Sequence, residues 1–255
     1  MEKMKKHFLR RMALVMALLT LGSAVLVGCG GQKEPEPDPK DEVIVEPEPI
    51  QLPDGVSFDE KKYPDVFGFI QIPNATQCAI SKGHYLAQSP KSTKSSTGYD
   101  DDYYLQRDLD GKTNKAGSLY IQAYYNKSDL SDPMTVIYGH NMADGSMFHS
   151  LMSYTEKSAW DYNSLIFFDT LKERHIYKIF AVFKTSANAG KGFSYHQFVD
   201  AQNETEFNDF VTNCKNLSFY DTGITPKYGD KIICLSTCEY TLNNGRLVVA
   251  AVRIS

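Results

Sequence analysis

Beyond its first eleven residues this 255-residue chain has no cluster of basic side chains, and its 27 Lys and Arg are outnumbered by 31 Asp and Glu. The net charge of −4 and the missing basic patch argue against a nucleic acid as partner. Membrane-spanning runs are also lacking. One apolar stretch, residues 12–27, is about sixteen residues long, whereas a transmembrane helix needs about twenty. No grouping of His, Cys, Asp and Glu has metal-ligand spacing, and the acidic segment near the N-terminus makes a poor calcium site, so no metal and no cofactor is expected. Cysteine is sparse, with five in all. Cys234 and Cys238 stand four apart on one apolar stretch. On a strand that is roughly 13 Å between Cα atoms, at about 3.3 Å per residue, too far for a disulfide or a shared metal.

What is present divides the chain into three parts. Lys3, Lys5, Lys6, Arg10 and Arg11 precede the apolar run, as in a signal peptide. The run ends in Leu26-Val27-Gly28-Cys29, which resembles a lipobox, in which the cysteine is lipidated and becomes the mature N-terminus; an uncleaved signal anchor is the other reading. Residues 1–28 are thus expected to be a lipoprotein-type signal peptide. Residues 29–54 are rich in Pro and in acidic side chains such as Glu34, Glu36 and Asp38, and read as a solvated tether. Residues 55–255 suffice for one domain with a sizeable core.

Within that domain the pattern is mainly β. Ser57-Phe58-Asp59-Glu60 resembles a capping box opening a short helix that Pro64 ends. Strands are expected at Phe67-Gly68-Phe69-Ile70-Gln71-Ile72, near Gln77 to Ser81, at Tyr103-Tyr104-Leu105, at Ser118-Leu119-Tyr120-Ile121, at Leu165-Ile166-Phe167-Phe168 and from His175 to Phe183. Cys78 and Cys214 read as packed hydrophobes. From Ser146 to Tyr154 the apolar spacing is helical, with His149 as a surface side chain. The best helical pattern runs from Asn203 to Leu217, capped by Asn203 with Glu206 reaching back, and with Phe207, Phe210, Val211, Cys214 and Leu217 on one face.

Two further segments carry titratable residues where buried strands give way to polar loops. Met134-Thr135-Val136-Ile137-Tyr138 leads into Gly139-His140-Asn141. Lys231-Ile232-Ile233-Cys234-Leu235-Ser236-Thr237-Cys238 and Arg246-Leu247-Val248-Val249-Ala250-Ala251-Val252 are joined through Asn243-Asn244-Gly245, a turn signal. Such a hairpin sets Cys238 and Arg246 on adjacent strand ends. A thiol needs a base or a positive charge to act as a nucleophile at neutral pH. An imidazole moves the protons, and a fixed cation stabilises the oxyanion formed when a carbonyl is attacked. His140, Cys238 and Arg246 fit those three roles, with Asn141, Ser236 and Thr237 as candidates for supporting them.

Tyr138-Gly139-His140-Asn141-Met142, Gly145-Ser146-Met147-Phe148, Leu235-Ser236-Thr237-Cys238 and Gly245-Arg246-Leu247-Val248-Val249, in that order, resemble the sortases, and class B in particular. The likeness runs from about Tyr63 to the C-terminus, and the helix inserted before the last strand pair agrees with class B. It implies an eight-stranded sortase barrel with an N-terminal helix and one longer helix before the last strand pair. It further implies a cysteine transpeptidase that cleaves a C-terminal sorting signal of a secreted protein after Thr. A thioacyl-enzyme would then pass the chain to an amine on peptidoglycan or a pilin. The setting implied is the outer face of the cytoplasmic membrane of a Gram-positive-type bacterium, with the membrane reached through the N-terminal anchor at Cys29. A cell-wall cysteine hydrolase is the alternative enzyme, although such enzymes present Cys before His. A catalytically silent lipoprotein module would lack His, Cys or Arg from the trio.

Overall fold

The computed structural model describes residues 61–72, 83–170 and 173–255. Cys29, the tether, the capping box at Ser57, Cys78 and the strand expected near Gln77 to Ser81 lie outside them. Residues 61–65, where the N-terminal helix was expected to end, form turns.

Eight strands close into a barrel: β1 (Val66–Gln71), β2 (His84–Gln88), β3 (Leu119–Ile121), β4 (Met134–Tyr138), β5 (Leu165–Thr170), β6 (Arg174–Ser186), β7 (Ile232–Glu239) and β8 (Gly245–Arg253). Their order around the barrel is β1-β2-β3-β4-β7-β8-β6-β5. The pairs β2–β3 and β4–β7 are parallel and the other pairings antiparallel. This is the expected mainly β, eight-stranded architecture.

Alternation along the strands sends side chains either into the barrel or into apolar clusters outside it. Ile70, Leu86, Ile137, Ile166, Ile233, Leu235 and Val249 fill the barrel. Val136, Ile232, Cys234, Val248 and Ala250 point outward into a second apolar layer. Strands buried on both faces must be apolar at nearly every position, which is why β7 and β8 read as continuous runs. A bulge in β6 keeps both layers filled. Ile179 pairs with Ala251 and Ala181 with Ala250, so Phe180 is the extra residue. Ile179 and Val182 therefore both face the interior, while Phe180 and Phe183 pack outside.

The second layer is covered by the longer helix, Glu204–Leu217. Asn203 Oδ1 accepts from the Glu206 backbone N–H at 3.0 Å, and Glu206 Oε2 accepts from the Gln202 N–H at 3.0 Å. Phe207, Phe210, Val211 and Cys214 are buried as expected, and Phe198 stacks on Phe210 with centroids 4.2 Å apart. Leu217 departs from expectation. It is 43% exposed, because the helix ends there with Ser218 already extended.

Two other local expectations are corrected. Tyr103 to Leu105 is no strand but belongs to a 3-10 turn, Tyr103–Gln106. Tyr103 and Leu105 donate their N–H groups to the carbonyls of Asp100 and Asp102, each at 3.0 Å. The two tyrosine rings meet edge to face at 5.0 Å, and Tyr104 donates its hydroxyl to Asp65. β-Propensity was overridden here by local ring packing and by the Asp65 acceptor. The helix after His140 is also of 3-10 type, Phe148–Thr155, followed by an α-helix at Lys157–Tyr162. Its buried residues Phe148, Leu151 and Tyr154 recur every third position, which fits three residues per turn.

Removing the cap with Asn203→Ala is expected to lower the unfolding free energy by about 1 kcal/mol. Urea titration checks this, and the alkylation rate of Cys238 is expected not to change.

Candidate active site

β4 and β7 run parallel up to the pair Tyr138–Ser236, and His140 and Cys238 each lie two residues beyond it. β7 and β8 run antiparallel with Cys238 directly opposite Arg246. An imidazole, a thiol and a guanidinium thus come from the same end of three adjacent strands. All three line a cleft of roughly 180 Å³, whose walls include Tyr120, Tyr138, Asp102 and Ser236.

The exit from β4 is stitched to β7 by two bonds. The Gly139 N–H donates to the Ser236 carbonyl at 3.1 Å, and Thr237 Oγ1 donates to the Gly139 carbonyl at 2.8 Å. Gly139 has no room for a side chain. A Cβ there would stand 2.3 Å from Leu119 Cδ2 and 2.7 Å from Phe148 Cδ2.

His140 Nε2 donates to the Leu105 carbonyl at 2.6 Å. A carbonyl only accepts, so Nε2 carries the hydrogen and Nδ1 is the nitrogen left to exchange a proton. That carbonyl belongs to the 3-10 turn misread as a strand. Gly117 backs it, at φ +60, and a Cβ at Gly117 would lie 2.5 Å from Leu105 O.

The three described thiols differ sharply in setting. Cys214 and Cys234 are completely buried in the layer beneath the long helix, and burial pushes both thiols well above the ordinary range. Cys238 is only half-buried and borders the cleft. All three are unpaired sulfurs.

Arg246 Nη1 donates to the Gly245 carbonyl at 2.9 Å and to Asn244 Oδ1 at 3.1 Å, which ties the guanidinium to its own turn. The turn has Asn244 at φ +50, a conformation asparagine tolerates. Ser236 shares a bond of 2.6 Å with the buried Tyr195 hydroxyl. Burial pushes that phenol up to about 12, against the opposing pull of the bond to Ser236. Asn141 Nδ2 donates to the Cys238 carbonyl at 3.1 Å. Of the three supporting candidates, Ser236 and Thr237 border the cleft, while Asn141 reaches it through the Cys238 backbone. Among the described residues no three His, Cys, Asp or Glu side chains converge as a metal site would require.

Sequence reasoning missed the Leu105 carbonyl, Gly117, Tyr195 and Glu239. Glu239 follows Cys238 directly and is 3% exposed. Its carboxylate meets Lys184 Nζ at 3.0 Å and accepts the backbone N–H groups of Thr241 and Leu242 at 3.0 and 3.1 Å. Burial pushes its pKa up, but the bonds from Thr241 and Lys184 outweigh that and hold it at about 2.

The Sortase domain family model matches residues 101–254. Sortase B of Listeria monocytogenes is 32% identical over 152 residues, which is 59% of this chain and 59% of that protein. The chain thus matches less than two thirds of that relative's length. Sortase B of Staphylococcus aureus, solved at 2.0 Å, superposes with a TM-score of 0.63 and 25% identity, over 76% of this chain and 83% of the other. A Staphylococcus aureus sortase B–substrate complex superposes with the same TM-score at 24% identity, over 76% and 82% of the two chains. The chain belongs to the sortase family, and its likeness is to the class B members.

Gly117→Ala is expected to displace the Leu105 carbonyl and the His140 ring with it, altering the pH profile of Cys238 alkylation in protein that still folds. Glu239 stabilises the native state above its ordinary value of 4.5, and this contribution is lost as pH falls from there through about 2. Glu239→Gln is therefore expected to be less stable than the parent at pH 7 and to show a flatter stability profile across that acid range. Thermal unfolding at a series of pH values measures both.

Proposed function

We propose that this chain is a cysteine transpeptidase acting on secreted proteins that bear a C-terminal sorting signal. The observation that carries the reading is the register that seats Cys238 opposite Arg246, in a cleft that His140 also lines, in a chain of the sortase family. The Cys238 thiolate attacks the carbonyl carbon of Thr in the signal. Arg246 donates to the oxygen as it gains charge, and its tie to the turn fixes the plane of the guanidinium. When the tetrahedral species collapses, the C–N bond breaks and His140 protonates the leaving amine through Nδ1. The thioacyl-enzyme remains. An incoming amine of peptidoglycan or a pilin gives its proton to His140, forms the new amide and releases the thiolate. Water in place of the amine yields hydrolysis.

That a class B relative has been solved with a substrate supports a peptide in this cleft. The same reading puts the domain on the outer face of the cytoplasmic membrane, held through a lipidated Cys29 and the acidic tether. The resemblance of Leu26-Val27-Gly28-Cys29 to a lipobox supports that attachment.

The full chain, incubated with fluorogenic sorting peptides with and without an amine, is expected to form a mass adduct on Cys238 and an amide product only with the amine. Arg246→Lys loses the planar fork and is expected to reduce kcat/KM by about a hundredfold, at the lower end for an oxyanion donor. Turnover that survives Cys238→Ala overturns the assignment.

A further inference from the structure

We propose that Asn141 and His149 act together as positioning residues that set the spacing between the imidazole of His140 and the thiol of Cys238. Asn141 follows His140 in the chain, and its Nδ2 donates to the carbonyl of Cys238 itself, 97 residues away. One bond thus joins the neighbour of the proposed base to the backbone of the proposed nucleophile. That bond has a weakness: an amide group can rotate half a turn, and Oδ1 would then confront the Cys238 carbonyl, two acceptors face to face. His149 prevents the rotation. Its Nδ1 lies 2.7 Å from Asn141 Oδ1. Because the Cys238 carbonyl takes the amide's N–H, Oδ1 faces His149, and the imidazole donates.

The loop is built to bring His149 back to this place. Asn141 and Met147 form an isolated antiparallel bridge, and Met147 closes it at φ +56, a left-handed conformation unusual for a residue with a side chain. The next residue, Phe148, is fully buried and donates its N–H to the His140 carbonyl at 2.9 Å. His149 follows it and is therefore carried on an anchored backbone, although its own ring is exposed. A second hold comes from the β7–β8 loop, where the Tyr240 hydroxyl donates to the Asn141 carbonyl at 3.2 Å. Neither Asn141 nor His149 borders the cleft, so both act through their neighbours.

The proposal rests on the transpeptidase reading for its effect on turnover, and not for its effect on the thiol. The test uses the full chain and its Asn141→Ala, His149→Ala, His149→Gln and doubly alanine-substituted forms. The pH profile of Cys238 alkylation by iodoacetamide reports the thiol–imidazole coupling without any sorting substrate, and kcat and KM on a sorting peptide report turnover. Asn141→Ala and His149→Ala are expected to shift the alkylation profile and to lower kcat by about five- to tenfold, the worth of one hydrogen bond, with KM little changed. The double variant is expected to be no worse than Asn141→Ala, since the two act as a unit. His149→Gln keeps an N–H donor and is expected to recover most of the loss. A His149→Ala protein with the parent's alkylation profile and kcat overturns the proposal, as does additivity in the double variant. If no variant, nor the parent, turns over the peptide while the alkylation profiles shift as described, the positioning role stands and the transpeptidase reading falls.

Discussion

Strand β7 is buried on both of its faces almost to its end, and that constraint sets the site. Its odd-numbered residues Ile233 and Leu235 fill the barrel, and its even-numbered residues Ile232 and Cys234 lie under the long helix. Only at Cys238 does the outward series leave the shelter of the apolar layer. Four residues earlier the sulfur of Cys234 is sealed beneath the apolar layer, whereas Cys238 is half-buried and borders the cleft with His140 and Arg246. Access of a β7 thiol to solvent is decided by where along the strand the covering layer stops.

The neighbouring chains share this edge. β4 delivers His140 because its register with β7 is parallel, and β8 delivers Arg246 because its register is antiparallel. Around them, polar side chains work as fasteners. Thr237 holds the β4 exit, Ser236 holds Tyr195 from the segment before the long helix, and Glu239 with Lys184 holds the turn to β6. The Glu239 carboxylate has its hydrogen bonds satisfied, as a group so deeply buried must be. Each fastener spends its polar groups on the scaffold, beside the cleft that His140, Cys238 and Arg246 line.

Much of this was legible in the sequence, and the reasons differ by element. β4, β6, β7 and β8 announce themselves because double burial demands unbroken apolar runs. The helix from Glu204 was legible because cap and face agree. That His140, Cys238 and Arg246 share one edge was legible because each stands where such a run ends. The Leu105 carbonyl was not, since a backbone acceptor leaves no mark on residue type. Gly117 looked like any turn glycine, and its purpose appears only when the Leu105 carbonyl is seen behind it. Tyr103 to Leu105 misled because aromatic residues favour strands on average, and the Asp65 acceptor that captures Tyr104 lies 39 residues away. β2, only five residues long, was missed beside the strand expected just before it.

The contacts that seal this edge join residues 97 and 98 apart in the chain. Closing so wide a loop costs entropy that no local contact repays in advance. A chain that has already formed its β7–β8 hairpin, a local structure, holds the sulfur beside the guanidinium but has no imidazole near it. The imidazole therefore joins them only with the β4–β7 register, and a molecule that lacks this pairing keeps Cys238 beside Arg246 alone.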